Sequence, residues 1–440
     1  MNNINTGQLR TAMYYNAFKR GFPFFVILTY ILLFYFLIRL DLRLDFISFY
    51  ASATAYLKHS NPYKVLVSNF LPTNLVKLPI NLNPPFFLEL IEPLTKLSYR
   101  LATVIWFFIL FISGLIGAYF SFKICVSPQT FKKNWFYLFI IYLGFYSTVI
   151  STTIVQVGSL LLFFIIGGYY FYLRKNDYLA GFLWGFIITL KIFPALLFFF
   201  ALKQRRYRVL MVTIITCIIT HLIPIITHGI HIYTLYFDMV HRVLWYGDLW
   251  NASFYGFLFR LLIDSADNHQ SLWFVHAIYA VIFLILLIWY VKKIDRIQTN
   301  DHRSFCLTLV MMLFMSPLGW LYYFPLLIMP FAYLYETLCR QPTLNIHYAN
   351  LGLISLLLLN FPLGYVPERD MPFIFFKLTV LSIYFYGLLI LVYLLHKPLA
   401  NKSTMAAFST TRKNYLLFPA MLILSFGLLV PLVIFVAHLL

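Results

Sequence analysis

Long apolar runs separated by short polar segments occupy most of the chain, and their lengths predict membrane-spanning helices. A helix needs about 20 apolar residues to cross the hydrocarbon core of a bilayer. Eleven runs approach or exceed that length, so the pattern predicts an all-α polytopic membrane protein. The runs are residues 22–40, 101–122, 135–150, 157–173, 178–202, 209–226, 273–291, 304–338, 346–361, 373–395 and 415–440.

Two of these runs contain helix-breaking residues near the middle, which predicts broken hairpins in place of single crossings. Run 178–202 has basic residues at both ends and a break near Pro194. Basic flanks mark the cytoplasmic side, and one crossing cannot begin and end on the same side. Run 304–338 has the same kind of flanks, and the sequence Ser-Pro-Leu-Gly at 316–319 interrupts it.

With both runs split, the sequence predicts a single transmembrane domain, residues 1–440, of about thirteen helices with a cytoplasmic N-terminus. Two long loops, 41–100 and 227–272, then lie on the non-cytoplasmic side. The predicted inner segments hold 21 Lys and Arg against 3 Asp and Glu, whereas the outer segments hold 9 against 10. This asymmetry follows the positive-inside rule. We expect a multi-pass protein of a bacterial inner (plasma) membrane.

The composition agrees with a lipid environment and excludes several classes of soluble protein. Hydrophobic residues make up 62% of the chain and charged residues 11%, whereas a soluble domain is about one-quarter charged. The net charge of +19 resides mainly in the predicted cytoplasmic segments, so no nucleic-acid partner is expected. The sequence has no nucleotide-binding motif. Its four cysteines and its histidines lack metal-ligand spacing, so no metal or other cofactor is expected.

Polar residues that are unusual in a membrane bundle gather at the predicted outer ends of the spans. They come from seven separate stretches of chain, and convergence of that kind is expected of a site at one membrane face. The candidates are Asp45, Tyr63, Asn83, Gln156, Lys191, Arg242, Asn251, Ser253, Arg260, Trp320 and Tyr323.

Lys191 and Asp45 carry the strongest chemical signals among these candidates. A lysine inside an apolar run costs roughly 2.5–3.5 kcal/mol on insertion scales unless it is paired or hydrated. At a hairpin tip near lipid headgroups, such a cation suits a lipid phosphate. A carboxylate such as Asp45 can take the proton of a hydroxyl nucleophile. Its position directly after a span also fits an ordinary solvated flanking residue.

The order of the polar motifs resembles glycosyltransferase family 87, the polyprenyl-phosphate-mannose-dependent α-mannosyltransferases, over about residues 20–330. An aspartate follows the first span, and six short motifs succeed it in the family's order. These are Asn-Pro-Tyr at 61–63, Asn-Pro-Pro-Phe at 83–86, Gln-x-Gly at 156–158, a Gly-rich stretch ending in Lys-x-x-Pro at 180–194, Asn-x-Ser at 251–253 and Ser-Pro-x-x-Trp at 316–320.

This resemblance implies the C-type glycosyltransferase membrane fold and inverting transfer of mannose from a polyprenyl phosphate to an acceptor hydroxyl outside the cytoplasm. Asp45 is then the catalytic base, and Lys191, with Arg260 or Arg242, binds the donor phosphate. The implied partners are the lipid-linked donor, a glycolipid or glycan acceptor, and membrane lipids. The other implied substrate-binding residues are Tyr63, Asn83, Gln156, Asn251, Ser253, Trp320 and Tyr323.

One departure from the family pattern leaves the donor sugar open between mannose, arabinose and glucose. Many members have a histidine after Ser-Pro-x-x-Trp, where this chain has Tyr322 and Tyr323. Two other functions also stay open. A transporter or flippase of lipid-linked sugars is disfavoured because no half-to-half repeat is visible. A polysaccharide polymerase or ligase is disfavoured because the second outer loop has only two arginines, Arg242 and Arg260.

Overall fold

The computed structural model describes residues 6–40, 42, 44–68, 76–243, 245–263, 272–297, 301–341, 345–363, 374–398 and 410–439. Within these residues the fold is all-α, as the apolar runs predict. The helices are α1 (Thr6–Arg39), α2 (Phe46–Leu57), α3 (Pro85–Ile91), α4 (Tyr99–Cys125), α5 (Pro128–Gly144), α6 (Tyr146–Thr153), α7 (Gly158–Leu173), α8 (Asp177–Leu190), α9 (Leu196–Lys203), α10 (Tyr207–His228), α11 (His231–His241), α12 (Phe254–Leu262), α13 (Trp273–Lys293), α14 (Arg303–Met315), α15 (Ile328–Arg340), α16 (Ile346–Leu359), α17 (Ile374–Leu378), α18 (Ile383–Leu395) and α19 (Thr410–Ala437).

Short irregular elements connect these helices. One antiparallel ladder pairs β1 (Val67–Ser68) with β2 (Val76–Lys77) in the first long loop. The described 3₁₀ helices are Glu92–Lys96, Phe193–Ala195, Trp245–Gly247, Leu321–Leu327 and Val380–Ser382.

Six of the described helical segments are long and apolar enough to cross a membrane, and this makes the chain a polytopic membrane protein. A seventh crossing is formed if α5 and α6, which meet at a bend of 62°, are counted as one span. Several other apolar helices are shorter, so the predicted total of thirteen is not confirmed. The six segments are Phe18–Arg39, Tyr99–Cys125, Tyr207–His228, Trp273–Lys293, Ile374–Leu395 and Leu416–Ala437.

Two apolar runs are interrupted near the break residues seen in the sequence. Helix α8 ends at Leu190 because Pro194 has no N–H to donate to the Leu190 carbonyl. Helix α14 ends at Met315, and Ser316 is extended with ψ at 145°, as a residue before proline prefers. The hairpin topology of the two runs stays a prediction, but each break leaves non-helical backbone beside the polar residues described below.

Small residues allow the helices to approach closely, which is common where helices associate in lipid. Gly185 of α8 shows this most clearly, because a Cβ at that position would lie 2.6 Å from the Thr213 carbonyl oxygen of α10. At the centre of the bundle, every residue of α14 is buried. The Phe305 ring of α14 stacks on Tyr169 of α7 with centroids 3.6 Å apart. These contacts support the non-helical segments that follow α8 and α14.

Candidate active site

Asp45 lies in the turn between α1 and α2, where a distant part of the chain fixes its backbone. Its N–H donates to the carbonyl of Ile154 at 2.9 Å, and its carbonyl accepts a hydrogen bond from the N–H of Ser48. Asp45 occupies the N-cap position of α2, but its side chain makes no capping hydrogen bond. The carboxylate is partly buried and is therefore available to other partners.

Gln156 is the direct partner of that carboxylate. Its Nε2 donates to Oδ2 of Asp45 at 2.6 Å, while its Oε1 accepts a hydrogen bond from the N–H of Val157 at 3.2 Å. The second contact fixes the orientation of the amide, so that its NH₂ group faces Asp45. The turn is made by Val155, whose φ of 58° is unusual for a β-branched residue. Such backbone strain is often found at functional sites.

The glycine of the Gln-x-Gly motif has a steric explanation. A Cβ at Gly158 would lie 1.9 Å from the carbonyl oxygen of Tyr322. Only glycine lets the start of α7 approach the 3₁₀ helix Leu321–Leu327 this closely. The motif therefore joins Gln156 to Tyr322, which comes from a part of the chain more than 160 positions away.

Lys191 lies directly after α8 and is partly buried near Asp45. Its Nζ is 5.5 Å from the centroid of the Tyr323 ring, and that ring also stacks on Phe193 at 5.1 Å. The Asp45 carboxylate is close enough to act electrostatically on the lysine. Yet Lys191 is in none of the ion pairs of the described chain, which are Arg206–Asp177, His228–Glu89, Arg303–Asp295 and Arg340–Glu336.

Burial changes the acid–base properties of both charged groups, which lie outside the six candidate spans. It raises the pKa of Asp45, and the hydrogen bond from Gln156 and the charge of Lys191 only partly oppose this effect. Burial also lowers the pKa of Lys191 to about 7, with Asp45 opposing the change. A carboxylate with a raised pKa is a stronger base than an exposed one. Perturbed pKa values in a partly buried pair are characteristic of functional sites.

Tyr322 and Tyr323 complete this group of side chains, which we call the Asp45 cluster: Asp45, Gln156, Lys191, Tyr322 and Tyr323. The two rings are 4.8 Å apart and nearly perpendicular. Burial raises the pKa of both phenols, and the Asp45 carboxylate raises it further. The hydroxyls therefore stay protonated and can donate hydrogen bonds. Two phenols thus occupy the place where the resemblance leads one to expect a histidine.

Asn251 holds the backbone that presents these tyrosines. Its Nδ2 donates to the carbonyls of Tyr246 and Pro317 at 2.8 and 2.9 Å. Its Oδ1 accepts hydrogen bonds from the N–H groups of Ser253 and Gly319 at 3.1 and 2.9 Å. All four hydrogen-bonding positions of the amide are used within the protein. The structure therefore gives Asn251 a supporting role, and its predicted contact with substrate stays a prediction.

Ser253 and Trp320 belong to the same support. The Ser253 hydroxyl caps α12 by accepting a hydrogen bond from the N–H of Gly256 at 3.0 Å. Trp320 pairs with Asn251 through a β-bridge, and its ring stacks against Tyr322 at 5.8 Å. The Asn-x-Ser and Ser-Pro-x-x-Trp motifs thus bind each other directly. Their contact fixes the start of the 3₁₀ helix that carries Tyr322 and Tyr323.

The two arginines predicted to bind phosphate are placed differently from Lys191. Arg260 is buried, and its Nη1 donates to the carbonyls of Asp248 and Asn251, both at 3.0 Å. These contacts stabilise the Asn251 loop. Arg242 is exposed at the end of α11, where its Nε donates to the Asp238 carbonyl of its own helix. None of these contacts joins either arginine to the Asp45 cluster.

Tyr63 and Asn83 form a separate turn within the first long loop. The Tyr63 hydroxyl donates to the Asn83 carbonyl at 3.1 Å, and Nδ2 of Asn83 donates to Oδ1 of Asn81 at 2.7 Å. The turn leads directly into α3, whose Phe86 packs edge-on against Phe186 of α8. These residues position α3 against α8, the helix that ends beside Lys191.

A second polar cluster, around Glu89 of α3, was not predicted from the sequence. The Tyr56 hydroxyl donates to Oε1 of Glu89 at 2.6 Å, and the His228 ring stacks on Tyr56 with centroids 3.5 Å apart. The sequence feature that could have predicted this cluster is the acidic Glu89 inside the apolar stretch Phe-Phe-Leu-Glu-Leu-Ile at 86–91. Among the described residues, no group of three potential ligands has metal-binding geometry.

Comparison with known proteins identifies the family to which this arrangement belongs. No curated protein and no solved structure matches the chain significantly. The sequence model of glycosyltransferase family 87 matches residues 81–333. This range contains every member of the Asp45 cluster except Asp45 itself. Because the match covers more than half of the 440 residues, the chain belongs to glycosyltransferase family 87 and is a membrane glycosyltransferase.

Proposed function

We propose that this glycosyltransferase moves a sugar from a polyprenyl-phosphate donor to an acceptor hydroxyl, with inversion at the anomeric carbon and with Asp45 as the general base. The observation that carries the proposal is the 2.6 Å contact between Gln156 and Asp45. This contact shows that Asp45 is an oriented, partly buried carboxylate near a lysine, and not an ordinary solvated residue after α1.

In the proposed step, the acceptor oxygen attacks the anomeric carbon from the face opposite the phosphate. The bond between that carbon and the phosphate oxygen breaks, and its electron pair leaves with the polyprenyl phosphate. The proton of the acceptor hydroxyl passes to Asp45. A base with a raised pKa suits this role because a hydroxyl loses its proton only as attack proceeds. Gln156 keeps the carboxylate in place and is a positioning residue.

The leaving group is already an anionic phosphate, so it needs electrostatic stabilisation more than protonation. Lys191 supplies a positive charge near Asp45 and belongs to none of the ion pairs among the described residues. Tyr322 and Tyr323 add protonated phenols that can donate to oxygen atoms of the sugar or of the phosphate. A donor carried by a lipid is delivered from the bilayer, so the enzyme needs no nucleotide-binding domain.

The donor sugar is mannose in this proposal, and the acceptor is a glycolipid or glycan. The site lies on the non-cytoplasmic face of a bacterial inner membrane, with the N-terminus in the cytoplasm. The charge asymmetry between the predicted loops supports this orientation. Family membership favours a glycosyltransferase over the transporter alternative.

An Asp45→Asn variant tests the base directly. The enzyme would be purified and supplied with radiolabelled polyprenyl-phosphate mannose and a membrane extract as the source of acceptor. We expect transfer to fall by about 10²- to 10⁴-fold, the usual contribution of a positioned acid or base. The matched control is Asp238→Asn, which removes an exposed carboxylate from α11 and should leave transfer unchanged.

Membrane abundance and thermal stability of both variants are measured in parallel, so that misfolding is not mistaken for lost chemistry. If Asp45→Asn transfers sugar at the wild-type rate, Asp45 is not the base. If wild type transfers glucose or arabinose but not mannose, the donor assignment is wrong while the assignment of Asp45 stands.

A further inference from the structure

An apolar cavity lies at the end of the bundle opposite to Asp45. Its volume is about 120 Å³, it is partly open to the outside of the bundle, and it lies between α4, α5, α15, α16 and α19. Its walls include Phe122, Phe331, Gly352 and Leu356, and almost all of its surface is carbon. An apolar cavity of this kind accommodates a hydrocarbon chain and no polar sugar.

A smaller cavity of about 20 Å³, also mostly apolar but with polar side chains in its lining, is next to it. Lys19 of α1 and Asn134 of α5 line this second cavity, and four residues line both cavities, so the two are adjacent. The shared residues are Leu138, Ile141, Tyr335 and Leu417. Lys19 lies 4.7 Å from the centroid of the Tyr137 ring, and it belongs to none of the ion pairs in the described parts of the chain.

The two cavities are far from the candidate active site. Lys19 and Arg39 are twenty positions apart in α1, which corresponds to about 30 Å along a helix. Asp45 follows the Arg39 end. Helix α4 shows the same separation, because Tyr99 at its start stacks on Phe46 while Phe122 near its end lines the cavity. The donor's sugar and phosphate therefore cannot occupy both places at once.

We propose that this composite cavity binds an anionic membrane phospholipid, with one acyl chain in the apolar part and the phosphate against Lys19. Charge complementarity selects this occupant. Basic pockets between transmembrane helices are known sites for anionic headgroups. Lys132 and Lys133, exposed at the same end of α5, increase the positive potential around the opening. The inference does not depend on the proposed chemistry at Asp45.

The test measures binding of phosphatidylglycerol and phosphatidylcholine to the purified full-length enzyme by native mass spectrometry. We expect the wild type to retain phosphatidylglycerol in preference to phosphatidylcholine. Lys19→Ala should weaken phosphatidylglycerol binding about fivefold, since one basic residue near a headgroup contributes about 1 kcal/mol. Lys132→Ala, which removes an exposed lysine that lines neither cavity, should have a smaller effect.

Gly352→Trp tests the apolar part. A Cβ at Gly352 meets no atom within 4 Å, so the indole can fill the cavity without a backbone clash and should reduce retention at least tenfold. Gly21→Trp is the matched control, because Gly21 also has open space around its Cβ. It lies two residues from Lys19 and therefore points away from the cavity.

A phosphatidylglycerol analogue with a photoreactive acyl chain gives a readout that requires no variant. Labelling of the wild type should map to α4, α5, α15, α16 or α19. Equal retention of both phospholipids, equal effects of Gly352→Trp and Gly21→Trp, or labelling confined to other helices would each overturn the proposal. Displacement of phosphatidylglycerol by polyprenyl phosphate at this position would also overturn it, since the cavity would then hold the donor's tail.

Discussion

Replacing Gln156 with leucine removes the hydrogen bond that orients Asp45 while preserving the approximate size of the side chain. The bond is short, at 2.6 Å, and its acceptor is a partly buried carboxylate. Hydrogen bonds to charged groups contribute about 1.5–3 kcal/mol. At about 1.36 kcal/mol for each pH unit, the loss corresponds to a displacement of about one to two pH units in a profile controlled by that carboxylate.

The sign of the displacement follows from the state of the base. Asp45 acts only when it is deprotonated, so activity is lost as the pH falls through its pKa. The hydrogen bond from Gln156 favours the charged form and lowers that pKa, in opposition to burial. Without the bond the pKa rises, and the acid limb of the kcat/KM profile moves to higher pH.

The assay measures kcat/KM for transfer from polyprenyl-phosphate mannose across the acid range for wild type and Gln156→Leu. Gln129→Leu is the control, because Gln129 is exposed on α5 and its loss should leave the profile in place. A Gln156→Leu enzyme whose activity is reduced equally at every pH would refute the reasoning. Such a result would mean that Gln156 supports the fold, through its contact with Val157, and has no effect on the base.

Three further predictions concern the neighbours of this pair. Burial lowers the pKa of Lys191 to about 7, so wild-type kcat/KM should fall as the pH rises through that value. Lys191→Arg keeps its charge and should lose this alkaline limb in the same assay; an unchanged limb would exclude Lys191 as its origin. Gly158→Ala would place a Cβ 1.9 Å from the Tyr322 carbonyl oxygen, so both activity and Tm should drop, whereas Gly352→Ala should leave both intact. Asn251→Ala removes four hydrogen bonds to the backbone and should lower the free energy of unfolding by about 2–4 kcal/mol; thermal unfolding in detergent with no loss would contradict its supporting role.

The sequence was sufficient to predict the all-α membrane fold, because apolar runs of about 20 residues match the thickness of a lipid bilayer. It was not sufficient to count the spans. Helices such as α7 and α14, with 16 and 13 residues, are apolar because protein surrounds them, and their composition alone does not distinguish that environment from lipid. The breaks could be anticipated because Pro194 and Pro317 act locally on their own helices.

The roles of the site residues stay predictions, but the structure separates two groups among them: Lys191 lies near Asp45, whereas Asn251 and Arg260 bind the backbone. Lys191 could be recognised in the sequence because an unpaired lysine inside an apolar run is energetically costly. Asn251 and Arg260 were equally plausible binding residues in the sequence. Their partners, however, are main-chain carbonyls and N–H groups, and the positions of these groups depend on the complete fold. A single sequence does not show which buried polar side chains satisfy the backbone and which remain available to a substrate.

The relation between Asp45 and Lys191 links the two halves of the proposed reaction. Before attack, the carboxylate attracts the lysine and thereby competes with the donor phosphate for its charge. As the acceptor's proton passes to Asp45, that attraction disappears. The full charge of Lys191 then acts on the leaving phosphate at the moment when its negative charge increases. An interaction that strengthens only as the transition state forms accelerates the chemical step, whereas one that is equally strong throughout only tightens binding. A lysine held in an ion pair by a carboxylate that takes no proton would lack this property, and Lys191 has no such pair among the described residues.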